Sequence, residues 1–135
     1  MNINPSIHTM DEMKKPYILA VDDEHINRFL LEDLIEWRYE LAVVDSGEAC
    51  LEAVKNRLPE LILLDISMPG MDGFQTCRLL KENPDTSKIP IIFLTARISI
   101  EDERKGLRLG AVDYITKPFS ESILLARIKP HLSLN

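Results

Sequence analysis

The chain is short of cysteine, of long apolar stretches and of positive charge. Its 135 residues include two cysteines, Cys50 and Cys77, too few for a disulfide framework and without metal-ligand spacing. The longest uninterrupted apolar run, Tyr17 to Val21, has five residues, far short of a membrane-spanning helix. Sixteen Lys and Arg face 22 Asp and Glu, a formal net charge of −6. That balance argues against a non-specific nucleic-acid binder, which wants a basic face, and against a polybasic membrane-surface protein. Residues 1–15 mix Asp11, Glu12, Lys14 and Lys15 with polar residues and lack an apolar centre, so no secretory signal is read there. The remaining expectation is a cytoplasmic protein of one domain. Its composition, 45% apolar and 28% charged, is ordinary for such a chain.

Residues 1–15 read as a polar, flexible leader and residues 16–133 as the domain. Within the domain, Tyr17–Val21, Leu61–Leu64 and Ile91–Leu94 are continuous apolar runs that stop at Asp22, Asp65 and Thr95. Runs without polar alternation suit strands buried on both faces, as in a parallel sheet. Leu41–Val44 and Ala111–Ile115 are weaker strand candidates. Between them lie helical spacings. Ile26, Phe29, Leu30, Leu34 and Trp37 form one stripe, with Trp37 read as packing. Ser46 caps a second helix that carries Ala49, Cys50, Ala53 and Val54. Phe74, Cys77 and Leu80 mark a third. Residues 99–109 form a charged, solvated, mobile helix with Ile100 and Leu107 as its core candidates and Gly110 at its end. Ser120 caps a last helix with Ile123, Leu124, Ile128 and Leu132. Cys50 and Cys77 read as core thiols, and His25 as a surface cap. Five alternations with short connections imply an α/β, flavodoxin-like, doubly wound parallel sheet of five strands in the order 2-1-3-4-5, with five helices.

In such a sheet the strand ends share one edge, where ligands bind. Asp22 and Asp23 follow the first strand, Asp65 the third, Thr95 the fourth and Lys117 the fifth. Three clustered carboxylates repel unless a cation joins them. Hard oxygens on an open face suit Mg²⁺. Lys117 adds a compact positive charge and Thr95 a hydroxyl donor. Together these parts describe phosphoryl transfer to a carboxylate nucleophile.

The sequence resembles the receiver domain of bacterial two-component response regulators, similar to the chemotaxis type. The resemblance rests on Val21-Asp22-Asp23-Glu24, on Leu64 to Gly73 (LDISMPGMDG), on Phe93-Leu94-Thr95-Ala96 and on Gly110 to Phe119 (GAVDYITKPF), in this order and spacing. It implies that Asp65 is the phosphoacceptor, taking a phosphoryl group from a histidine kinase or histidine phosphotransfer protein. It implies Mg²⁺ held by Asp23, Asp22, Asp65 and the backbone carbonyl of Ser67. It implies that Thr95 and Lys117 hold phosphoryl oxygens, that Tyr114 is an aromatic switch moving with Thr95, and that the Lys117–Pro118 bond is cis. It further implies an output domain or partner on the face of the fourth helix, fifth strand and fifth helix, with a phosphorylation-dependent homodimer allowed there. No output segment is present, so direct DNA binding is not expected. Arg97 reads either as a solvated loop residue or as one that steers water, and Glu101–Lys105 either as a solvated helix face or as part of the partner surface.

Two other classes stay open. A Mg²⁺-dependent phosphohydrolase resembling the haloacid dehalogenase group wants a second acid two residues after the nucleophile, where this chain has Ser67. A phosphate-independent interaction domain would not need the intact acidic set. The ending Leu125–Leu132 resembles last helices that lead into an output domain or another module of a hybrid kinase.

Overall fold

A computed structural model describes residues 14–132. Most of the expected leader, residues 1–13, and the expected domain end at residue 133 lie outside the described residues. Five strands, β1 (Tyr17–Val21), β2 (Glu40–Val44), β3 (Leu61–Asp65), β4 (Ile91–Thr95) and β5 (Asp113–Thr116), alternate with five α-helices. These are α1 (His25–Ile35), α2 (Gly47–Asn56), α3 (Gly73–Glu82), α4 (Ile100–Leu109) and α5 (Glu121–Ile128), followed by a 3₁₀ turn at Lys129–His131. The sheet order is β2-β1-β3-β4-β5, and every pairing is parallel. The expected doubly wound fold is what the chain adopts.

The continuous apolar runs divide their side chains between two cores. Leu19, Val21, Ile62, Leu64, Ile91 and Phe93 face Cys50, Phe74, Cys77 and Leu80 of α2 and α3. Ile18, Ala20, Leu61, Leu63, Ile92 and Leu94 face Leu31 and Ile35 of α1 and Leu124 and Ile128 of α5. Neither face of β1, β3 or β4 is wet, so neither can be polar. Burial of each such large side chain stabilises by about 1.5–3 kcal/mol. Both cysteines are free and buried, and burial pushes the Cys50 thiol up to about 12.

Helix starts follow the capping residues. Ser46, Ser99 and Ser120 accept hydrogen bonds from Ala49, Asp102 and Ile123 amides, and Asp72 forms a reciprocal capping box with Gln75. Gly110 ends α4 at φ 106°, in the left-handed region. The cap position of α1 is Glu24, not His25, and no side chain caps that helix.

The apolar stripes of α1 and α4 did not mark the faces these helices bury. Ile26, Phe29 and Trp37 are each more than half exposed, and Leu31 and Ile35 meet the sheet instead. Helical spacing says that residues share a face, not which face is covered. Trp37 donates its indole N–H to the Leu34 carbonyl and to Glu121 Oε2, 2.9 Å away, at the surface. Ile100 and Leu107 are also exposed, and the residues of α4 that turn inward are Gly106, which is buried, and Leu109, which packs against the core. β5 begins at Asp113, two residues later than the apolar run from Ala111 suggested.

A candidate phosphoryl-acceptor site at the carboxyl edge of the sheet

The carboxyl ends of the strands bring four of the expected residues into contact. Asp22 prolongs β1 by one ladder bond, its amide donating to the Val44 carbonyl, and its side chain is wholly buried. Asp65 is the last residue of β3 and almost wholly buried. One carboxylate oxygen from each of Asp22, Asp23 and Asp65 lies within 4.8 Å of the others. Lys117 reaches in from the end of β5, with its ammonium 2.9 Å from Asp22 Oδ2 and 3.2 Å from Asp65 Oδ1. Its backbone is pinned by donation of its amide to the Thr95 carbonyl at 2.8 Å. The Lys117–Pro118 bond is cis, as the resemblance implied.

The charges explain each other. Burial, then the neighbouring Asp22 carboxylate, pushes the Asp65 carboxyl from its ordinary 3.8 to about 7, against the pull of Lys117. Burial pulls the Lys117 ammonium down, but Asp22 and Asp65 together hold it above an ordinary lysine. Asp65 Oδ1 also accepts a hydrogen bond from the Ser67 amide at 3.3 Å. Asp22 Oδ1 accepts from the Glu24 amide at 3.0 Å and from Asn27 Nδ2 at 3.4 Å. Asp22 Oδ2 accepts no hydrogen bond. The nearby ammonium stands against it as an ion pair outside hydrogen-bond alignment. A fully buried carboxylate oxygen with open lone pairs is costly unless something else takes them. The donor set is all hard oxygen, so a small divalent cation such as Mg²⁺ fits.

Thr95 is placed differently. It ends β4, but its hydroxyl donates to the Arg97 carbonyl at 2.8 Å and accepts from the Arg97 amide at 3.3 Å. It is bound to its own loop. Tyr114 is buried, with its ring 5.6 Å from that of Phe93 between centroids. Its hydroxyl donates to the carbonyls of Asp102 and Glu103, at 2.7 and 3.0 Å. The inward position of Tyr114 thus coexists with a Thr95 hydroxyl held by Arg97.

Two residues near the site, Asn27 and Arg28, carry no sequence signal of their own, and a third, Gly73, stood only within the motif that carried the resemblance. Gly73 packs so closely on the backbone of Asp65 and Ile66 that a Cβ there would overlap both. Asn27 and Arg28, on the first turn of α1, bond the Asp22 carboxylate and carbonyl. A polar first turn is too common to single out Asn27 and Arg28.

A doubly wound sheet with an acidic cluster and a lysine on its carboxyl edge defines a class of Mg²⁺-compatible phosphoryl-acceptor folds. The family is then specific: residues 18–129 match the family model "Response regulator receiver domain", and the chain belongs to that family, the receiver domains of two-component systems. Over 113 residues it is 43% identical to the response regulator PleD of Caulobacter vibrioides, covering 83% of this chain and 25% of that protein. Over 118 residues it is 39% identical to the phosphate regulon transcriptional regulatory protein PhoB of Rhizobium meliloti, covering 87% of this chain and 52% of that protein. The chain therefore spans from a quarter to about half of these curated relatives. The fold is similar (TM-score 0.79, 26% identity) to the receiver domain of sensor histidine kinase PA1611 from Pseudomonas aeruginosa PAO1, over 86% of this chain and 96% of that one. That structure has a magnesium ion coordinated in its active-site cleft.

Proposed function

We propose that Asp65 accepts a phosphoryl group from the phosphohistidine of a histidine kinase or phosphotransfer protein. The observation that carries this reading is the burial of Asp65 beside two further carboxylates and the Lys117 ammonium. One Asp65 oxygen attacks phosphorus, the P–N bond to the donor imidazole breaks, and its electron pair stays with the imidazole. Asp22, Asp23, Asp65 and the Ser67 carbonyl are the residues that would hold Mg²⁺. That ion supplies the positive charge that the carboxylates and the phosphoryl oxygens need in order to meet. Lys117, already in contact with Asp65, is placed to take a phosphoryl oxygen. Thr95 can do the same once its hydroxyl leaves the Arg97 carbonyl, which a rotation about one side-chain bond permits.

The chain then acts as a switch rather than as an enzyme with a diffusible product. Release of Thr95 from Arg97, coupled to Tyr114 and α4, is the local change. Ile100, Leu107 and Val112 are exposed. Their exposure supports α4, β5 and α5 as the face for an output domain, a partner or a second phosphorylated copy. No helix among the described residues is long and apolar enough to cross a membrane, which fits a receiver that meets its kinase in the cytoplasm.

Incubation with acetyl phosphate and Mg²⁺ tests the reading. Intact mass spectrometry is expected to show one added phosphoryl group that is lost in Asp65→Asn and on removal of Mg²⁺. An unmodified chain, or equal modification of Asp65→Asn, would overturn it.

A further inference from the structure

The two aspartates that follow β1 are consecutive, so one peptide plane joins them. Its carbonyl is that of Asp22 and its amide that of Asp23. On the β2 side Asp22 is held through its own amide, bonded to the Val44 carbonyl at 3.1 Å. Its carbonyl lies past the end of the strand, where the ladder supplies no donor. Arg28 supplies one: Nη1 donates to that carbonyl at 2.8 Å from the first turn of α1. Arg28 is only partly exposed, and among the described residues it pairs with no carboxylate. A guanidinium that leaves abundant acids unpaired and spends its charge on one main-chain oxygen is placed for geometry. Its neighbour Asn27 completes the hold, with Nδ2 3.4 Å from Asp22 Oδ1 and 2.8 Å from Glu24 Oε1.

We propose that Arg28 is a positioning residue for the cation site: by holding the Asp22–Asp23 peptide plane it aims both carboxylates at once. With the plane fixed, Asp22 Oδ1 is consumed by the Glu24 amide and Asn27, and Oδ2, which accepts no hydrogen bond, faces the cluster against the Lys117 ammonium. Without the bond the plane can rotate, and two ligands lose their aim together. The inference rests on the cation-dependent reading of the same site and adds a residue to it.

Coulomb's law provides the discriminating sign. Removal of a cation beside an acidic cluster tightens binding of a divalent ion if charge is all that Arg28 contributes. Removal of a positioning bond weakens it, by on the order of tenfold for outer-shell partners. The experiment is calorimetric titration of Mg²⁺ alone into the wild type and into Arg28→Met, Arg28→Gln and Arg28→Lys. The ¹³C shift of the Asp22 carbonyl is recorded in each without metal. About tenfold weaker binding in Arg28→Met is expected, with a displaced Asp22 carbonyl shift and recovery of both in Arg28→Lys. Unchanged or tighter binding in Arg28→Met would overturn the inference. If that variant does not fold, Arg28→Gln, which keeps an N–H donor and loses the charge, decides in its place. There, binding at least as tight as the wild type together with a displaced carbonyl shift overturns the inference, and weaker binding with that displacement supports it. A wild type that binds Mg²⁺ and becomes phosphorylated while the variants bind equally well removes Arg28 only; a wild type that does neither removes the cation-dependent reading itself.

Discussion

A carboxyl that is to attack phosphorus must be ionised when the donor arrives, yet burial and Asp22 favour the protonated Asp65 up to a pH of about 7. Lys117 is the group that works against them. Its replacement by Met is therefore expected to raise the Asp65 titration further. ¹³C NMR of the Asp65 carboxyl in the metal-free protein measures this. The same variant is expected to lose most of its labelling by acetyl phosphate at pH 7, because both the ionised fraction and a phosphoryl-oxygen partner fall. An Asp65 titration that stays put or moves down would show that the contacts at 2.9 and 3.2 Å do not govern the site. Asp22 and Asp65 stood out in the sequence because each stops an apolar run at the edge where several strand ends bring polar residues together. Arg28 did not stand out, because a first-turn arginine on a helix looks the same whether it meets water or a buried carbonyl.

Among the elements, α4 shows how much a single absent methyl can decide. Its one buried residue is Gly106. A Cβ there would overlap the Tyr114 hydroxyl and the edge of Phe93. Alanine is favoured over glycine in a helix interior by about 1 kcal/mol, whereas overpacking a tight contact costs about 1–3 kcal/mol. The second term is expected to win. Gly106→Ala should lower stability by up to about 2 kcal/mol in chemical denaturation, the difference of the two terms. In a Tyr114→Phe background the loss should shrink, because the nearest atom is gone. Equal losses in both backgrounds would place the strain elsewhere. Sequence reading found α4 and its Gly110 end, since a helix-ending glycine depends on local chemistry, whereas the Ser99 cap emerged only in the structure. It chose Ile100 and Leu107 as the inward residues because apolarity ranks above small size in any pattern of burial. Only the third dimension shows that Tyr114 already fills the space between α4 and the sheet. The strands were the opposite case. β1, β3 and β4 are buried on both faces, so composition alone marks them. β2 and β5 are partly wet and were correspondingly faint.

For the molecule as a whole, the acidic cluster makes stability depend on pH and on metal together. In metal-free protein the Asp65 carboxyl has a folded pKa raised from 3.8 to about 7. A raised carboxyl binds its proton more tightly in the folded state, so its contribution is fully present below the unfolded pKa. That contribution is lost as pH climbs through the folded value. At about 1.4 kcal/mol per pH unit over that interval, the loss between pH 4 and pH 8 is on the order of 4 kcal/mol. Asp65→Asn cannot ionise. The metal-free variant is therefore expected to be more stable than the metal-free wild type at pH 8, and the gap should close toward pH 4. A divalent cation reverses the order. Bound to the ionised cluster of the folded state, it would stabilise that state by RT ln(1 + [Mg²⁺]/Kd), about 2.7 kcal/mol at a hundredfold excess over Kd. Protons compete for the same oxygens, so the gain should be large at pH 8 and small at pH 5. Denaturant melts of both proteins, at both pH values, with chelator or with Mg²⁺, measure all of this. A wild type equally stable at pH 5 and pH 8 without metal, and unmoved by Mg²⁺ at pH 8, would mean that the three carboxylates are not mutually strained. The physical reason for placing a cation among them would then disappear.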